Sequence, residues 1–172
     1  MRYASALLVC ALLAVAAVSA SAQNRNYLVS FGPATESGYN RDISALQIYD
    51  LVNRERSRQG LTFLSWDDKL AELARQYSEQ MARGAFFDHV DPNGQRVQDR
   101  AFAAGLQRWT KIGENLFHSK DVSDFSRLAV RMWMDSDSHR ANILDRGYSA
   151  AGVGIATAPD GRVYVTQLYL QR

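Results

Sequence analysis

The chain of 172 residues has little cysteine and little proline: one cysteine, Cys10, and three prolines. Cys10 falls inside an N-terminal stretch that reads as a secretory signal. Arg2 gives it a positive start, Ala4–Val18 an apolar run and Ala20-Ser21-Ala22 a small-residue cleavage site. Once residues 1–22 are removed no cysteine is left, which excludes thiol catalysis, thiolate metal sites and disulfide staples. An exported domain of roughly 150 residues then has to rest on its hydrophobic core. Long apolar runs are also missing. The run in the signal is shorter than the about 20 residues a membrane span needs, so no transmembrane segment is expected in the mature chain. Nor is there an excess of one charge. Twenty Lys and Arg against 18 Asp and Glu give a formal net charge of +2, with no basic run longer than the interrupted Arg54–Arg58 stretch. Nucleic-acid binding has no electrostatic footprint here. The expected location is secreted or periplasmic, after cleavage near Ala22.

Residues 23–42 are polar, carry Gly32-Pro33 and Gly38, and read as an extended lead-in or linker. From there residues 43–172 form the expected domain. Helical spacing begins near Asp42 with Ala45, Ile48, Tyr49, Leu51 and Val52, and Gly60 is a plausible stop. Arg54, Arg56 and Arg58 are expected on a solvated face at that helix's C-terminus. A second helix follows a possible Ser65/Asp68 capping pair, with the core stripe Leu70, Leu73, Ala74, Tyr77 and Met81. Asp91-Pro92-Asn93-Gly94 is turn chemistry, and a short helix from about Val97 to Ala104 comes next. Residues 110–117, TKIGENLF, fit a short strand or an ordered loop, and Gly113 would let another backbone approach closely. His118 just after them is expected on a solvated loop. A third long helix over Asp121–Ser136 should bury Phe125, Leu128, Ala129 and Met132, with Ser123 or Asp124 as its cap. Residues 150–158 and 162–170 alternate as strands around Pro159-Asp160-Gly161, a hairpin signal. Helices first and an antiparallel hairpin last point to an α+β fold.

His139, in WMDSDSHRANIL, is the first candidate for chemistry. If Ser138 caps a helix there, the ring faces the positive end of the helix dipole and stays neutral, able to accept a hydrogen bond or bind a metal. His89 in FFDHVDPNG and Glu114 in IGENLF are its candidate partners, distant enough in sequence that only a packed fold would assemble them.

Six segments occur in a recognisable order: LVNRERSRQGLTFLSWDDKLAELARQYSEQMA, FFDH, GENLF, WMDSDSHRANIL, AGVGIA and YVTQLY. From about Ile48 to Tyr169 the chain resembles the CAP superfamily of cysteine-rich secretory, antigen 5 and pathogenesis-related proteins, also called SCP domains. It resembles the cysteine-free bacterial branch most. The resemblance implies a three-layer α-β-α sandwich with a central antiparallel sheet and a surface cleft. In many members that cleft holds two His and two acidic residues, and in some it binds a divalent metal. His89 matches the first His, Glu114 the first acid and His139 the second His. The second acid's position is Ser136, flanked by Asp135 and Asp137.

Two neutral imidazoles and Glu114 would offer zinc two nitrogens and one oxygen, with a position left for water. Asp88 or Asp91 would orient His89 from behind. The leading functional reading is a ligand-binding module whose His/Glu cleft takes an envelope, lipid or host-surface ligand. The alternative is a hydrolase, with Glu114 as base to a metal-bound water or with Ser136 or Ser138 in a Ser–His–acid set. A third role needs no ligand, since His89, Glu114 and His139 would also tie three loops together through buried hydrogen bonds.

Overall fold

A computed structural model describes residues 36–172, so the signal over 1–22 and most of the lead-in lie outside the described residues. The chain runs α1 (Glu36–Arg58), β1 (Ser65–Trp66), α2 (Asp68–Gly84), α3 (Val97–Ala103), β2 (Lys111–Ser119), α4 (Phe125–Asp135), α5 (Asp137–Leu144), β3 (Ala150–Thr157) and β4 (Val163–Gln171). The class is α+β. The strands form one sheet in the order β1-β3-β4-β2. The β3–β4 hairpin and the β2–β4 pair are antiparallel, and the two-residue β1 joins β3 in parallel.

Residues 150–156 of β3 are buried on both faces, because helices cover both sides of the sheet. On one side α1, α4 and α5 pack Ile48, Val52, Trp133 and Ile143 against Val153, Val165 and Tyr169. On the other, Leu70, Leu73, Val97 and Ala101 of α2 and α3 meet Ile112, Leu168 and Leu170. Two glycines bring α2 close. A Cβ on Gly152 would sit 2.2 Å from the Ala71 nitrogen, and one on Gly154 would sit 1.9 Å from the Arg75 nitrogen. Close backbone approach is thus the work of AGVGIA. At Gly113 the close neighbour is the Tyr148 hydroxyl, a side chain and not a backbone.

Several sequence expectations shift by a few residues. Helix α1 begins at Glu36, inside the stretch read as lead-in, because its first turns carry no apolar period to announce them. Asp67 caps α2, accepting from the Lys69 and Leu70 amides, while Ser65 belongs to β1. Helix α4 starts at Phe125 with Asp124 as its cap. Its buried face is Ser126, Ala129, Val130 and Trp133, the i, i+3, i+4, i+7 series that seats the indole, so Met132 turns outward at 52% exposure. All of TKIGENLF but Thr110 resolves as a strand, Lys111–Ser119, with His118 in it. That ring is exposed and stacks on Tyr164 across the β2–β4 pair.

Arg56 is the largest departure. It was expected in solvent beside Arg54 and Arg58, yet it is fully buried. Its guanidinium donates to the carbonyls of Thr62, Ile143, Asp145 and Tyr148. Carbonyls at the end of α5 have no partner within their own helix, and this side chain supplies one from α1.

Candidate functional site

Strand β2 is a sheet edge, and its middle carries Glu114. Strand alternation points Glu114 towards the α2/α3 layer, with Ile112 and Leu116, and points Asn115 towards α5. The Glu114 carboxylate is buried and doubly held. Arg100 of α3 donates to Oε2 at 2.6 Å, and His89 meets Oε1 through Nδ1 at 2.8 Å. A carboxylate only accepts, so the His89 Nδ1 carries the proton of that bond. The His89 side chain itself is 48% exposed.

Arg100 is a buried cation with partners on several sides. It donates to the carbonyls of His89 and Gln95 and lies 3.4 Å above the Tyr77 ring. Burial, with Glu114 and two aspartates nearby, pushes the Tyr77 phenol up to about 12 against the pull of Arg100. That hydroxyl therefore stays protonated, and it donates to the Asp88 carbonyl just before His89.

The second imidazole arrives from the opposite layer. His139 is the third residue of α5, and its carbonyl accepts from Asn115 Nδ2 at 3.1 Å. Asn115 is fully buried, also donates to the Tyr169 hydroxyl, and accepts from Asn142. Asn142 in turn donates to the Glu114 carbonyl, which closes part of the strand edge. These bonds set the His139 ring 6.4 Å from the His89 ring, centroid to centroid. Burial first, and His89 second, hold the His139 imidazole below its ordinary value. A neutral ring was expected from the helix dipole; the fold supplies desolvation and a neighbouring ring.

The structure thus brings His89, Glu114 and His139 together around one strand edge. Ser136, not Ser138, occupies the cap position of α5, and its side chain makes no capping bond. Its hydroxyl lies 3.4 Å from that of Ser138, and among the described residues neither is hydrogen-bonded to a histidine. Asp137 pairs with Arg140 and is 95% exposed, and Asp135 is exposed as well, so neither replaces the missing acid. Asp88 and Asp91 do not orient His89. Asp88 accepts from the Val90 amide and Asp91 from the amides of Asn93 and Gln95. Trp109 bonds the Leu106 carbonyl and packs into the α2/α3 core.

Sequence reasoning passed over Arg100, Asn115 and Asn142. Arg100 had a signal: with Val97 and Ala101 it forms an i, i+3, i+4 face, so an arginine stands on the buried side of α3. The two asparagines look like ordinary polar residues until the sheet edge is assembled.

A divalent metal fits this donor set poorly. Both Glu114 oxygens are engaged, one by a cation, and the second acid is Ser136. No group of three or more His, Asp or Glu suited to a metal ion occurs among the described residues.

A sheet covered by helices on both faces defines a domain of the α+β class. The sequence matches the CAP, or cysteine-rich secretory protein, family over residues 49–169, and the chain belongs to it. It is 33% identical over 129 residues to YlbC, an uncharacterised membrane protein of Bacillus subtilis (strain 168), covering 75% of this chain and 35% of that one. It is 32% identical over 135 residues to YkwD, an uncharacterised protein of the same organism, covering 78% and 49%. The chain therefore spans about a third to a half of the length of these relatives. An extracellular SCP-domain protein from Bacillus anthracis str. Ames superposes with a TM-score of 0.68 at 28% identity, over 83% of this chain and 45% of that one. An outer surface protein from Borrelia burgdorferi has the same fold, with a TM-score of 0.68 at 18% identity over 83% and 99%.

Proposed function

We propose that this CAP domain is an exported binding module whose ligand is gripped by His89 and His139, with Glu114 as the residue that orients His89. The observation that carries this reading is the buried Arg100–Glu114 pair ending on the half-exposed His89 imidazole. A fully paired, buried charge that fixes one exposed ring is costly to assemble. It makes sense where the Nε2 face of that ring has a task. Export is supported by the extracellular description of the Bacillus anthracis protein. No described helix is long and apolar enough to cross a membrane. The ligand is proposed to be an envelope, lipid or host-surface component.

Zinc enters this proposal only through the two imidazoles, since Glu114 is committed to Arg100. Calorimetric titration is then expected to show weak zinc binding that His89→Ala with His139→Ala abolishes, and that Ser136→Glu raises about tenfold by restoring a carboxylate donor. Equal affinity in wild type and the double variant would exclude the metal reading. For the ligand itself, capture of envelope lipids and glycans by wild type but not by the double variant is the direct test. Capture unchanged by the double variant would remove the cleft from the proposal.

The hydrolase reading rests on the same His89–Glu114 bond, because a carboxylate-oriented imidazole is half of an acid–base pair. In that version His89 is the base and Glu114 its positioning residue. Turnover of peptide or peptidoglycan substrates that survives in folded Glu114→Gln would exclude it.

A further inference from the structure

A cavity of about 310 Å³ lies between α2, the turn after Asp91 and α3, and none of His89, Glu114 or His139 lines it. Its size is at the lower end of the range for small-ligand pockets, about 300–1,000 Å³. We infer that this cavity is a second binding site, for an uncharged, polyhydroxylated ligand the size of one or two sugar residues.

The lining excludes the other ligand classes in turn. Two charged groups border the cavity, Asp91 and Arg100, and both are buried. Asp91 accepts from the Asn93 and Gln95 amides through Oδ1 and from Gln80 Nε2 through Oδ2. Arg100 donates to Glu114, Gln95 and His89 and lays one face on Tyr77. Both charges are already engaged, so an added anion or cation would have to compete with these bonds. A lipid tail is disfavoured as well, because Leu73, Ala103 and Ala104 are the only aliphatic lining residues.

What remains open to a ligand is amide chemistry. Gln76 and Gln80 use their Nε2 atoms on Glu72 and Asp91, which leaves each Oε1 as an acceptor. Asn93 and Gln95 contribute complete side-chain amides from the turn, exposed and without a side-chain partner among the described residues. An amide presents donor and acceptor together, the complement of neighbouring sugar hydroxyls. The frame is preorganised. Asp91 pins the turn, Gly94 takes the positive φ of +80° the turn requires, and helices form the other walls. A small aliphatic floor under a ring of amides suits a pyranose, whose C–H face is apolar and whose rim is polar.

The test is an amide-resolved NMR titration of the purified protein with glucose and N-acetylglucosamine, each carried to about 50 mM to reach millimolar affinities. Saturable shifts are expected at the backbone amides of Gln76, Gln80, Asn93 and Gln95 with at least one sugar. Gln76→Leu, at an exposed position, is expected to weaken that binding about tenfold. Ala103→Trp, which fills the cavity from the exposed side of α3, is expected to abolish it. His89→Ala with His139→Ala should leave the sugar shifts intact, which separates this site from the cleft. Absence of shifts with both sugars, shifts that persist in Ala103→Trp, or the same shifts with acetate or phosphate would each overturn the inference.

Discussion

Arg56 and Arg100 are both buried arginines, and the difference lies in where their hydrogen bonds end. Arg56 reaches only main-chain carbonyls, those of Thr62, Ile143, Asp145 and Tyr148, and so pins α1 to the end of α5. Arg100 reaches two carbonyls, an aromatic face and the Glu114 carboxylate, and beyond that carboxylate stands a half-exposed imidazole. The first network closes on itself. The second passes from a buried cation to a ring at the surface, which is how a rigid scaffold holds a functional side chain in place. A buried arginine is therefore evidence of a site only when its partner chain leads outward.

The largest expected effect is at Arg56. Arg56→Met keeps most of the volume but leaves several buried carbonyls without donors, at a cost of about 5 kcal/mol in denaturant unfolding. No single side-chain change elsewhere should rescue it, because its partners are backbone. Arg100→Met should cost about 3–5 kcal/mol, since it strands the Glu114 charge in the interior. Here a second change does rescue: Glu114→Gln in the same chain removes the stranded charge and should recover most of the loss. If both arginine variants behaved alike towards Glu114→Gln, the distinction between pin and site would fail.

A smaller effect is expected from pH. The folded His139 ring binds its proton below the ordinary value of 6.5, through burial and His89. Between that folded value and 6.5 the unfolded chain takes up more protons than the native one, so stability falls with acidification. The contribution is complete above pH 6.5 and declines through that window as pH drops. A His139 NMR titration midpoint below 6.5, with this slope missing in His139→Gln, is the expected pair of results. A midpoint at or above 6.5 would contradict the described packing of the ring.

The sequence made some of this legible and hid the rest for physical reasons. The hairpin and the α2 stripe could be read because periodicity and turn residues are local signals. His89, Glu114 and His139 could be grouped through the ordered motifs around them, although no spacing rule joins residues so far apart. Arg56 was misplaced because its neighbours Arg54 and Arg58 are exposed, and one more cation at a helix end looks solvated. Asn115 and Asn142 were missed because their role depends on an open strand edge, which exists only after the strands are ordered β1-β3-β4-β2. The exchange of Asp91 for Glu114 behind His89 has a similar origin. Nearby carboxylates attract attention in a sequence, while the one that bonds the ring comes from another strand.

The proposed cleft depends most on the His89–Glu114 bond. Long-range proton–nitrogen NMR of the neutral histidine side chains tests it directly. The prediction is a His89 ring with the proton on Nδ1 and a bare, accepting Nε2, changing to a mixture of tautomers in Glu114→Gln. A His89 ring carrying its proton on Nε2 in the wild-type protein would contradict the proposed cleft at its base.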